Sequence, residues 1–347
     1  MPTYAWRSLP KELHIKIAEE LDIRSLIKLS RVARYEHDLM DHVSMDATFL
    51  SVTEYFPSEE EEIRGIQFHY ARRNESTEWF VKFRDVDGGT LETRQSGFYE
   101  TEEFYQKFHA DAEFHVVAMD YMRKILKQMR YTVDTFSSRG VEWSKVPTVP
   151  VQILANKLTI RCEDGDEAMA LIGRFLPRLK TLQIDAEDNS QPLVPRRMFD
   201  LETVIRTSEQ LYCTYTDVTA VQLQKLNVKH FAIRAVTMDC DEMNQFIKMW
   251  TDGLLSERIM HCVFREFRNI DQRVMLKDVA ESATFDGFRK PEHEMRAEFN
   301  RFFEHPPPAS NVHQIRQKDN MRTCIMAVIN TDVHFRFSKD NSNMTRF

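Results

Sequence analysis

The chain has 347 residues, 42% hydrophobic and 29% charged, which supplies apolar surface enough for one large or two modest domains. Nine Gly and 12 Pro exclude a collagen-like, mucin-like or broadly disordered chain, and a formal charge of −7 gives no global field toward nucleic acid or an anionic membrane. Five scattered cysteines with no CxxC pair argue against a disulfide framework or a Cys-rich zinc site and for reduced thiols, as in cytoplasm or nucleus. The opening MPTYAWRSLPKELH holds no apolar signal-type stretch, and no run approaches the roughly 18 apolar residues of a membrane helix.

Residues 8–43 read as three short helices. Pro10 suits the first turn of a helix, where its missing N–H has no helical partner. Leu13, Ile17 and Leu21 then recur every fourth residue, with Lys11, Glu12, Glu19 and Glu20 off the stripe. Asp22 is a candidate N-cap for a second helix carrying Leu26, Ile27 and Leu29, and Val32, Tyr35, Leu39 and Val43 mark a third. Helices this short cannot cover one another's apolar faces, so they dock on the rest of the chain or on another protein.

The segment SLPKELHIKIAEELDIRSLIKLSRVARYEHDLM resembles an F-box, the module that binds the Skp adaptor of SCF ubiquitin ligases. The resemblance rests on Leu9-Pro10, Glu12-Leu13, Ile17, Leu21, Leu26, Leu29 and Val32. It implies an F-box over 4–48, with Leu9, Pro10, Leu13, Ile17, Leu21, Leu26, Leu29 and Val32 as the Skp-binding residues. After Val32, where the family carries Ser, a basic residue and an aromatic, this chain has Ala33, Arg34 and Tyr35.

Residues 51–62, ending in Glu59 to Glu62 after Pro57-Ser58, read as a solvated linker. From 63 the pattern turns to period two. Ile66, Phe68 and Tyr70 alternate with polar residues, as do Trp79, Val81 and Phe83, and Asp87-Gly88-Gly89 leads to a third run at Leu91 and Thr93. A small antiparallel meander is expected, followed by a long helix over 102–130 with Phe114, Val117, Ala118, Tyr121 and Ile125 on its core face. Together they form a connecting region over 62–130. Residues 131–150 read as irregular.

Beyond 150 strands and helices alternate. Strands are expected at 158–160, 182–184, 203–207, 211–213, 231–233 and 260–264, and helices at 166–175, 217–226 and 241–250. Strand onsets spaced roughly every 22–30 residues fit a degenerate leucine-rich-repeat-like solenoid. The fold class expected is thus α+β / α/β: a three-helix F-box, a meander with a long helix, then an irregular repeat-like α/β domain closed by a C-terminal β-hairpin. The run from Phe231 to Gly253, with Asn244, Phe246, Lys248, Trp250 and Gly253, resembles the type-two F-box-associated domain of nematode F-box proteins, with the related F-box-associated domain of the same proteins as a second label that the long helix at 102–130 also suits. Ile315 to Asp319, Arg322 to Ile325 and His334 to Phe337 are similar to that family's C-terminal hairpin. This resemblance implies a substrate-recognition domain over 151–340. Physically, Asn244, Phe246 and Trp250 read as packing and capping residues.

The chain carries no GxxxxGK[ST], GxGxxG, GxSxG or HExxH motif. His230 and His261-Cys262 fall in expected strands and read as core residues, and Asp164-Gly165-Asp166-Glu167 reads as a helix cap. No catalytic, cofactor-binding or metal-ligating set is therefore assigned. What the resemblance implies is a non-catalytic substrate receptor of an SCF ubiquitin ligase, with a Skp-family adaptor, a cullin-RING ligase and a protein target as partners. The alternative is a solenoid-type interaction adaptor outside ubiquitination. The net charge counts against nucleic acid.

Overall fold

The computed structural model describes residues 9–21, 25, 29, 47–55, 63–72, 78–96, 103–146, 152–186, 194–235, 237–267, 269–279, 283–284, 312–318 and 322–337. The chain divides into two compact units, Met1–Ile160 with Arg174–Leu176, and Arg161–Gly173 with Pro177–Phe347.

The first unit begins with α1 (Lys11–Glu20) and continues through β1 (Ala47–Tyr55), β2 (Gly65–Arg72), β3 (Glu78–Val86), β4 (Gly89–Ser96), β5 (Glu103–Ala110), α2 (Phe114–Gln128), β6 (Thr132–Arg139) and most of β7 (Leu154–Cys162). The strand order is β7-β6-β1-β2-β3-β4-β5. β1 to β5 run antiparallel in succession, whereas β6 returns parallel to β1 with Ser51 opposite Ser137. Period-two patterning sets the buried face: Leu50 and Val52 on β1, Ile66 and Phe68 on β2, and Phe83 on β3 are sealed from solvent. α2 packs on β2, β3 and β4, burying Ala118, Met122 and Ile125. Its Tyr121 ring lies 5.5 Å from Phe68 and 5.4 Å from Phe83. Beyond β6, Trp143 donates through Nε1 to Ser138 Oγ at 2.7 Å. Arg174 donates to the carbonyls of Trp143 and Val146 and lies 5.5 Å over the Trp143 ring.

The second unit contains α3 (Gly165–Ile172), β8 (Thr181–Ala186), a 3-10 turn (Arg196–Asp200), α4 (Glu202–Ile205), β9 (Gln210–Thr216), α5 (Ala220–Gln224), β10 (His230–Ala235), α6 (Cys240–Thr251), β11 (His261–Phe264), α7 (Gln272–Met275), β12 (Ala283–Thr284), β13 (Val312–Arg316), β14 (Thr323–Ile329) and β15 (Asp332–Phe337). The order is β8-β9-β10-β11-β15-β14-β13-β12. β8 to β11 are parallel, and β15 onward is antiparallel. Phe231, Phe246, Phe264 and Phe335 form an edge-to-face cluster, with centroids between 5.3 and 6.3 Å.

This overturns the expected fold class. The described residues are dominated by large mixed sheets, not by a three-helix module, a small meander with a long helix and an irregular leucine-rich-repeat-like α/β domain. Residues 103–110 are a strand because EFYQKFHA pairs in register along β4, Leu91 opposite Phe108. The long helix is accordingly shortened to α2. Residues 47–55, partly assigned to a linker, form the strand between β2 and β6. Residues 132–139, read as irregular, pair with β1. The strand expected at 203–207 falls instead on the short helix α4 and the turn after it. In a solenoid each repeat contacts only its neighbours. Here β15 returns from far along the chain to pair with β11, Phe335 opposite Cys262, so the C-terminal hairpin is part of the sheet and no appendage. Of the three N-terminal helices, α1 is seen, and Ser25 and Leu29 are helical. The rest of 22–46 lies outside the described residues, as does 56–62 of the expected linker.

Candidate functional site

α1 starts at Pro10, whose carbonyl accepts from Leu13 N at 3.0 Å and His14 N at 3.2 Å. Ten residues of helix give two faces. The inward face carries His14 and Ala18, both buried. The outward face carries the large apolar side chains: Leu9 is 37% exposed, Leu13 44% and Ile17 41%, with Pro10 exposed beside them. An amphipathic helix docked only on its own chain would do the opposite, burying Leu and Ile and turning His to water. Of the other residues assigned to adaptor binding, Leu21 and Leu29 are half-buried, while Leu26 and Val32 lie outside the described residues.

The motif on α6 is structural. Asn244 Nδ2 donates to the carbonyls of Met275 and Lys277, both at 2.8 Å, tying α6 to α7 and the turn after it. Phe246 sits in the ring cluster, and the buried Trp250 ring is 5.3 Å from Phe337. Gly253 adopts φ +72° and ends the helix, its N–H bonded to Trp250 O and that of Leu254 to Met249 O. These two bonds form a Schellman closure. Asp164 caps α3 by accepting from Asp166 N at 2.8 Å. Cys262 is buried, and His261 is half-buried between His230 and His334, at ring separations of 6.5 and 6.1 Å. Burial, then His334, His230 and Arg336, push the His261 imidazole down to about 4.

A second cluster was not anticipated. On β1 the buried positions run Leu50, Val52, Glu54, so an acid occupies the apolar face at the C-terminal end of the strand. Glu54 Oε1 accepts from Arg64 Nη2 at 2.6 Å, from Arg64 Nε at 2.9 Å and lies 3.1 Å from His115 Nε2. Glu142, just past the end of β6, places Oε2 3.4 Å from Arg64 Nη2 and bonds Lys145 Nζ through both oxygens at 2.8 Å. The Lys145 hydrogen bond lowers the Glu142 carboxyl below its ordinary value, helped by the charges of Lys145, Arg64 and His115. Among the described residues, Glu54, His115 and Glu142 are the one set of three His, Cys, Asp or Glu side chains whose ligand atoms all lie within 4.8 Å of one another. The cluster sits at the C-terminal ends of parallel β1 and β6 and at the N-terminal turn of α2, the end of a parallel pair where α/β folds place their sites. Its three members come from three distant stretches, so no spacing announced it. The signal available was the acid at a buried strand position.

No family model matches the chain, and no curated protein matches it. No helix among the described residues is long and apolar enough to cross a membrane.

Proposed function

We propose that this chain is the substrate-receptor subunit of an SCF-type ubiquitin ligase, engaging a Skp-family adaptor through the outward face of α1. The observation that carries the reading is the inverted burial of α1: Leu9, Leu13 and Ile17 face out while His14 and Ala18 face in. Exposed apolar rows on otherwise polar surfaces mark partner sites, and this row coincides with the Leu-Pro motif that the F-box resemblance rests on. The chain then contributes no bond-making chemistry. It holds a protein target near the ubiquitin-carrying enzyme and raises its effective concentration there. Residues 161–347, apart from the short return at Arg174–Leu176, supply the second unit and the surface for the target. No disulfide joins the five cysteines, in keeping with work in the reducing cytoplasm or nucleus.

The test is co-purification of the full-length chain and its Leu13→Ala/Ile17→Ala variant with a Skp adaptor and a cullin. Each anchor buried in an interface is worth about 1–3 kcal/mol, so the double change should weaken adaptor capture at least tenfold. Capture at undiminished strength by a variant with an unchanged melting transition overturns the reading. Adaptor without cullin replaces it with a role outside ubiquitination.

A further inference from the structure

We propose that Glu54, His115 and Glu142 form a binding site for one divalent transition-metal ion, zinc best among them, with Arg64 as the cation that the metal displaces. The inference is independent of the ubiquitin-ligase reading.

The donor chemistry comes first. Two carboxylates and one imidazole suit zinc and its first-row neighbours, whereas calcium and magnesium sites are built from oxygen alone. The spacing follows. Donor atoms around an ion with bonds of about 2.0–2.2 Å stand roughly 3–3.5 Å apart. Glu54 Oε1 and His115 Nε2 are already 3.1 Å apart, and the third donor lies within 4.8 Å of both. Little chain movement is needed to close the shell.

A second observation points to a missing ligand. The Glu54 side chain is fully buried, yet its hydrogen bonds all fall on Oε1; Oε2 is sealed from solvent and has no partner. Leaving a buried carboxylate oxygen bare costs free energy that a coordinated cation, bound by both oxygens, would recover. Arg64 explains how the site stands without an ion: its single positive charge sits between Glu54 and Glu142. Its side chain is 34% exposed and also lies 5.6 Å over the Phe114 ring, so it has solvent and an aromatic face to move toward. A divalent ion would put two positive charges between the carboxylates where Arg64 puts one, with Lys145 turning off the Glu142 oxygen that binds. With three protein donors, the fourth position is left to water. Competition from Arg64 sets the affinity, which we expect to be micromolar, not the tighter value of a preformed structural zinc site.

The experiment is titration of the full-length, chelator-stripped protein with zinc chloride by calorimetry, repeated with cobalt(II) to read its visible absorption. The expected result is one ion per chain. His115→Ala and Glu142→Gln should each weaken binding tenfold or more, and Arg64→Ala should tighten it severalfold. Glu54→Gln risks the fold, because it alters a buried strand residue; His115 and Glu142 are half-buried and carry the test instead. All variants are first matched to the wild type by their thermal transition. Three results overturn the site: no stoichiometric zinc event in either wild type or Arg64→Ala, unchanged affinity in His115→Ala (zinc held by other histidines), or Arg64→Ala binding no tighter than wild type.

Discussion

The imidazole of His261 lies on β11 in a row with those of His230 on β10 and His334 on β15. Its protonation is suppressed to about 4 by burial first, then by His334, His230 and Arg336. His334 is itself lowered by burial and by Arg265, against the opposing pull of Asp332. An unfolded chain takes up this proton near the ordinary 6.5, the folded chain only near 4. Below 6.5 the unfolded state therefore binds more protons, and stability falls with pH until both states are protonated. A separation of that size is worth on the order of 2–3 kcal/mol. We expect the urea midpoint to drop between pH 7 and pH 4.5, and His261→Gln to remove a large part of that drop while His334 keeps some of it. Identical pH slopes for the two proteins would show that His261 is not the group responsible.

α6 shows what a short stretch of chain can announce about itself. Asp239 caps it by accepting from Asp241 N and Glu242 N, and Gly253 closes it in the left-handed region. Both signals are local, and so is the helical spacing between them, which is why the run from Phe231 to Gly253 was readable. What Asn244 does was not, because its acceptors at Met275 and Lys277 lie far along the chain. Asn244→Ala should leave those two buried-side carbonyls without a donor, at about 1–3 kcal/mol, seen as a lower thermal midpoint. Gly253→Ala has open space for its Cβ and should cost only the backbone term, about 1 kcal/mol. Should the two variants melt together, the α6–α7 tie contributes less than its geometry implies. The helix expected over 102–130 failed across 103–110 for the complementary reason: β5 is held by β4, and an isolated EFYQKFHA satisfies either period.

Across the chain, strands whose own run carries a clear period were visible, and those fixed by the strand they pair with were not. The meander from Ile66 to Thr93 and the strands near 182–184, 211–213 and 231–233 carry their pattern in single runs. The parallel pairing of β1 with β6 has no such signature, and the Glu54–His115–Glu142 cluster depends on it, since Glu54 and Glu142 lie at the ends of those two strands. The outward strip on α1 was legible as a stripe, but its inversion against His14 and Ala18 required the packed structure. The same long-range closure in the second unit yields a further prediction. β15 lies between β11 and β14, and Phe335 contributes its ring to Phe246 and Phe264 at 5.6 and 6.0 Å. Gln317 donates to Trp250 O at 3.0 Å and Arg322 to Ile259 O at 3.2 Å, fastening β13 and β14 to the end of α6 and the loop after it. A chain ending at residue 311 would lose every one of these partners. It would also leave β11 as an unpaired edge with Phe264 uncovered on one side, an arrangement that invites association between chains. We expect this truncation to lose the cooperative melting of the second unit and to scatter light at concentrations where the full chain stays clear. A monomeric truncated protein with an unshifted transition would mean that β8 to β11 and their helices close a core without the hairpin, and that Phe335 covers a surface already stable in its absence.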